Sequence, residues 1–109
     1  MIELIEAYMF QEKVIDVDEP VLVTFRSEWS GSCHIVNSSL TELSDEFEGK
    51  MLFYALDVDA CKKLTNEYRI HKLPTILFFN NGELIDKLIG PNSKSVVREH
   101  IIEVILKGK

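Results

Sequence analysis

Cysteine is scarce in this chain: two residues, Cys33 and Cys61, among 109. Two thiols form at most one bridge, which argues against a disulfide-stapled secreted scaffold and for free thiols in a reducing compartment. Long apolar runs are missing as well. Runs such as Thr75–Phe79 fall far short of the roughly 20 residues a membrane-spanning helix needs. Positive charge is in deficit, with 12 Lys and Arg against 18 Asp and Glu and a net charge of −6. That balance disfavours nucleic acid or an anionic membrane as partner. The short basic spots Lys62-Lys63 and Arg69–Lys72 read as solvated faces. No glycine-rich phosphate loop occurs, and Cys33-His34, Cys61, His71 and His100 do not follow zinc-ligand spacing. Neither metal nor cofactor is expected. The opening Met1-Ile2-Glu3-Leu4-Ile5-Glu6 lacks the positive start and apolar stretch of a signal peptide, so a cytoplasmic protein is expected.

What is present suits one domain over residues 1–109, since 46% hydrophobic residues can form a core without staples. Met1–Ile5 alternates apolar and acidic residues, as a short strand does. Glu6–Ile15 reads as a helix with Tyr8 or Met9 and Val14 or Ile15 turned inward, ended by Pro20. Val21–Phe25 is a near-continuous β-branched run, the pattern of a strand buried on both faces. From Cys33 the period changes: Cys33, Val36, Leu40, Leu43 and Phe47 form one helical stripe, stopped by Gly49. Met51–Leu56 reads as a second buried strand. Asp57 and Asp59 offer helix-start carboxylates for a helix with Cys61, Leu64 and Tyr68 on one face. Thr75–Phe79 is a third core strand, and Asn81-Gly82 signals a hairpin to a return strand over Glu83–Ile89. After Gly90-Pro91, Asn92 or Ser93 caps a last helix carrying Val97, Ile101, Val104 and Ile105. The resulting order β-α-β-α-β-α-β-β-α implies an α/β fold, with a mixed sheet flanked by four helices.

This order and its local motifs resemble the thioredoxin family over essentially the whole chain. Pro20–Phe25 leading into Glu28-Trp29-Ser30-Gly31-Ser32-Cys33 is similar to the family's active-site strand and turn. Asp57-Val58-Asp59 is similar to the end of its next strand, and Leu73-Pro74-Thr75 to its cis-proline loop. Asn81-Gly82-Glu83 resembles its hairpin, and Gly90 the glycine closing its substrate groove. The resemblance implies a thioredoxin-like fold and a site in which Trp29, Ser30, Gly31, Ser32 and Cys33 form a degenerate active-site motif. Ser30 stands in place of the attacking cysteine, Ser32 in place of the usual proline, Thr24 in place of a buried proton-relaying aspartate, and Arg26 where an aromatic often packs.

Dithiol exchange requires an exposed thiolate to attack and a second thiol to resolve the mixed disulfide. A serine hydroxyl does neither, so Ser30 reads as a helix cap in preference to a nucleophile, which would need a base such as His34 and an acid partner. Cys33, turned inward on its stripe, is either a buried inert thiol or the catalytic group of a monothiol exchange, with Arg26 on the preceding strand available to a thiolate. Cys61 is a semi-buried apolar residue or a regulatory thiol, and a Cys33–Cys61 bridge is disfavoured because the two begin different helices. In the family the bond before the proline of that loop is cis and exposes backbone to an extended substrate segment. Trp29, Leu73, Pro74, Gly90 and Pro91 therefore outline either a peptide-binding groove or an idle scaffold. The reading is a protein- or peptide-binding, redox-associated module, monomeric and without nucleic acid or membrane partners. The alternative is a monothiol thiol–disulfide oxidoreductase at Cys33, resolved by glutathione or a partner thiol.

Overall fold

A computed structural model describes residues 1–107; the last two residues of the expected 1–109 domain lie outside the described residues. A five-stranded mixed sheet is built from β1 (Glu3–Leu4), β2 (Val21–Arg26), β3 (Leu52–Asp57), β4 (Thr75–Asn80) and β5 (Glu83–Ile89), in the order β1-β3-β2-β4-β5. Strands β1, β3 and β2 run parallel, β4 lies antiparallel against β2, and β5 returns antiparallel to β4. Three α-helices accompany the sheet: α1 (Gly31–Glu46), α2 (Lys62–Glu67) and α3 (Lys94–Lys107).

The central strand β2 organises the packing. All of Val21–Phe25 is buried, and side chains alternate across the pleat. Leu22 joins Val36, Leu40 and Leu43 of α1 and Val97, Ile101 and Val104 of α3 in one core. Val21, Val23 and Phe25 face a second core with Phe10, Val14, Leu56, Cys61 and Phe79. Covering each such side chain contributes about 1.5–3 kcal/mol, so a one-residue slip of β2 would exchange two whole cores. Thr24 and Arg26 follow Leu22 on the α1 side. Their register partners Ala55 and Asp57 lie on that side too.

The N-terminal segment departs from its pattern. Only Glu3–Leu4 forms a strand, and the expected helix over Glu6–Ile15 is a 3₁₀ turn (Ala7–Met9) followed by a π turn (Gln11–Ile15). Tyr8 is 83% exposed, while Phe10 and Val14 fill the core. The Asp16 N–H donates to the Gln11 carbonyl five residues back at 2.8 Å, the wide spacing of a π turn. Helix α2 starts later than its carboxylates suggest, with Cys61 at the cap position. Asp57 instead accepts the Asp59 N–H at 2.9 Å through Oδ1, a local turn that ends β3. Ser93 caps α3, its Oγ accepting the Val96 N–H at 3.3 Å. Asn92 instead donates to the Gly90 carbonyl at 3.1 Å.

The β4–β5 hairpin is fixed by Asn81 and Gly82, at φ 53° and 74°, the left-handed pair a type I′ turn demands. A Cβ on Gly82 would run into the Ile15 carbonyl oxygen. Gly82→Ala should therefore destabilise the protein by at least about 1–3 kcal/mol, the cost of the backbone conformation alone. Gly31→Ala, where a Cβ meets nothing within 4 Å, should change stability by less than about 1 kcal/mol. Urea unfolding of the two variants measures the difference, and equal effects would contradict the turn geometry.

Candidate functional site

The register Phe25↔Thr75 sets the end of β2 beside the start of β4. The loop Ser27–Ser30 and the loop Leu73–Pro74 therefore lie at the same end of the sheet, where α1 begins. Ser30 has extended backbone (φ −100°, ψ 117°), and its Oγ accepts the Cys33 N–H at 3.4 Å. The bond is long against the usual 2.7–3.2 Å, which places this cap at the weak end of the range. Ser27 Oγ accepts the Trp29 N–H at 3.2 Å, and this turn directs Trp29 outward to 88% exposure.

Cys33 lies on the inner face of α1's first turn and is only 3% exposed. Cys61 is equally covered but belongs to the core on the opposite face of the sheet, and both thiols are free. The Cys61 Sγ–H donates to the Asp57 carbonyl at 2.9 Å. Burial pushes the Cys61 thiol up, opposed in part by its contact with Thr65 and helped least by the Asp57 charge. It is thus held protonated, a poor nucleophile.

The Leu73–Pro74 peptide bond is cis. The Gly90 N–H donates to the Pro74 carbonyl at 2.8 Å, which seats the end of β5 on this loop with Gly90 at φ 76°. Leu73 has backbone N–H and C=O groups with no backbone partner among the described residues. Trp29, Leu73, Pro74 and Gly90 thus share one end of the sheet.

A different cavity, of about 240 Å³, opens on the α1 side of the same end. Leu4, Arg26, Ser27, Glu28, Cys33, His34, Asn37 and Asp57 line it. Of the five residues Trp29–Cys33 only Cys33 takes part, joined by Arg26, Glu28, His34 and Asp57, which the sequence also brings into view. Arg26 Nη1 donates to Asn37 Oδ1 at 2.6 Å, and His34 Nε2 is 3.0 Å from the Glu28 carbonyl oxygen. Asn37 and Asp57 escape a sequence reading of this cavity because they lie on different elements. The one available signal is that Arg26, like Thr24, falls on the α1 side of β2's alternation. Among the described residues no group of three His, Cys, Asp or Glu side chains is placed to hold a metal.

A mixed sheet with β4 antiparallel to β2, a tryptophan-led turn into α1, and a proline loop opposite define a thioredoxin-fold protein. Comparison with known proteins agrees: the thioredoxin family model matches residues 1–103. A thioredoxin of Chlorobaculum thiosulfatiphilum is 32% identical over 88% of this chain and 89% of its own length. One from Rickettsia felis is 36% identical over 84% of this chain and 88% of its own. The chloroplastic M-type thioredoxin of Pisum sativum is 34% identical over 95% of this chain, which spans 60% of that longer protein. The chain belongs to the thioredoxin family. No helix among the described residues is long and apolar enough to cross a membrane.

Two outcomes test this geometry. Ser30→Ala should cost about 0.5–1 kcal/mol, the low part of the N-cap range, by chemical denaturation; no loss would remove the capping role. Stability should also fall in alkali. The folded state holds the Cys61 proton above the ordinary thiol value, so its contribution is complete below about pH 8.5. It is lost as pH rises through the folded value, because the unfolded chain then binds fewer protons. Tyr68, raised by burial and then by the Glu67 charge, extends the fall to higher pH. Cys61→Ser should flatten the first part of the slope in denaturation curves taken between about pH 8 and 10; an unchanged slope would contradict it.

Proposed function

We propose that this thioredoxin-family member binds extended protein segments across Trp29, Leu73, Pro74 and Gly90, and that it has given up dithiol exchange. The carrying observation is Trp29, the chain's single tryptophan, turned out at 88% exposure beside a helix cap that holds a hydroxyl in place of a thiol. An exposed tryptophan is the side chain most enriched at binding hot spots. The backbone groups of Leu73, without a backbone partner among the described residues, are where an extended segment would add as a strand. Such binding reads backbone and apolar surface and asks nothing of a nucleophile.

Loss of the exchange reaction is supported by two replacements and by the setting of the remaining thiol. Ser30 offers no thiolate. Thr24, 2% exposed, sits opposite Ala55, so no titratable group lies at that level of the two strands to relay a proton. Cys33, covered on α1, has no second thiol on its side of the sheet. We place this activity in the cytoplasm, with the protein as a monomer.

The test is fluorescence anisotropy of a labelled, unfolded and carboxymethylated polypeptide, together with an insulin disulfide reduction assay. The native protein should bind the polypeptide and leave insulin disulfides intact. Trp29→Ala should weaken binding by roughly 30-fold or more, the scale of a hot-spot loss, and Cys33→Ala should leave it unchanged. Binding indifferent to Trp29→Ala would overturn the groove, and reduction of insulin by the native protein would overturn the loss of exchange.

A further inference from the structure

Positive charge is concentrated on the α2 side of the sheet, against the balance of the chain as a whole. Residues 62–72 carry four cations, Lys62, Lys63, Arg69 and Lys72, and one acid, Glu67, in a chain of net charge −6. All four cations are exposed, and among the described residues none forms a salt bridge. A fifth cation joins them from β5. Asp86 pairs with His100 of α3 and Leu88 packs in the α3 core, so Lys87 and Ile89, alternating with them, face the α2 side. Lys87 Nζ donates to the Tyr68 carbonyl at 3.2 Å, beside Arg69, and Ile89 is 60% exposed. The acids of β5 do not offset this charge, because Asp86 faces α3 and Glu83 stands at the hairpin end of the strand.

This charge reaches the groove. Thr75 Oγ1 donates to the Lys72 carbonyl at 2.5 Å, which ties Lys72 to the Leu73–Pro74 loop. Lys72 Cδ and Cε lie 3.7 Å from the point where a Cβ on Gly90 would stand. The apolar stem of Lys72 thus runs along Gly90 and carries its ammonium to the rim. Ile89 is the register partner of Thr75, which sets Lys87 two residues further along the same face. A segment laid on Leu73 and crossing Gly90 meets Lys72 first, and then Lys87 and Arg69. We propose that the extended segments this groove takes are acidic, with carboxylates facing Lys72, Lys87 and Arg69 beyond the part that meets Trp29. The inference rests on the groove reading and names the chemistry of its partner. Exposed charge pairs contribute little one at a time. Three cations on one rim therefore select among segments and steer their approach, while backbone and Trp29 supply the hold.

The test uses three labelled synthetic peptides with one shared cysteine-free apolar centre, flanked by glutamate, glutamine or lysine. Their affinities for the native protein would be measured by fluorescence anisotropy at about 0.01 M and about 1 M salt, where charges are screened over about 30 Å and about 3 Å. At low salt the glutamate peptide should bind about tenfold tighter than the glutamine peptide, the scale of a few exposed charge pairs, and the lysine peptide more weakly than either. At high salt the three should converge. The net charge of −6 repels the glutamate peptide over the whole surface, so its preference has to come from this rim. Lys72→Gln should weaken the glutamate peptide about threefold and leave the glutamine peptide unchanged. Lys50→Gln removes the same charge just before β3, at the opposite end of the sheet, and should leave both unchanged. Equal low-salt affinities for the glutamate and glutamine peptides, with both weakened by Trp29→Ala, would overturn the acidic preference and keep the groove. Equal effects of Lys72→Gln and Lys50→Gln would also overturn the preference. Binding of all three peptides indifferent to Trp29→Ala would overturn the groove and this inference with it.

Discussion

Burial of β2 on both faces is the constraint on which the rest of the molecule depends. Five successive side chains, Val21 to Phe25, are removed from water, and their alternation assigns each to one of two cores. Because both cores are closed, the strand cannot slip or rotate, and the residues that follow it are aimed with the same definition. Phe25 seals one core, Arg26 projects toward α1, and Ser27 turns the chain so that Trp29 leaves the surface. The site is a continuation of the strand's pleat into a loop that is no longer covered.

The same constraint explains how the residues around the site can vary without loss of the fold. Ser30 caps α1 through its hydroxyl. Thr24 and Ala55 face each other as small, uncharged neighbours, which demands no compensating charge in a layer that water does not reach. Arg26 brings a charge, but at the open end of the strand, where Asn37 holds it and the cavity gives it access to solvent. Replacements that would be costly in the middle of the strand are tolerated one or two residues nearer its end.

The two thiols illustrate how burial alone does not define a cysteine's role. Cys33 and Cys61 are covered to the same degree. Cys61 sits within an apolar cluster, donates to a carbonyl and is held in its neutral form by that environment. Cys33 borders a polar space with a guanidinium and a carboxylate in its walls. The sheet between them separates the two environments and rules out a resolving partnership.

The sequence by itself determined the strands and the long helices, since patterns such as Val21–Phe25, the Cys33–Phe47 stripe and Asn81-Gly82 are local and each is enforced by burial or backbone sterics. It also determined that position 30 carries a serine, whose hydroxyl neither forms nor resolves a disulfide. It did not determine the segment 6–15, where a 3₁₀ turn and a π turn stand in place of one regular helix, nor the start of α2, where Asp57 was drawn into a turn. Only the tertiary structure decided that Arg26, Asn37 and Asp57 meet around Cys33. These residues are separated by whole elements, and their encounter depends on strand register and helix placement, which are set by the two cores and leave no trace in local spacing.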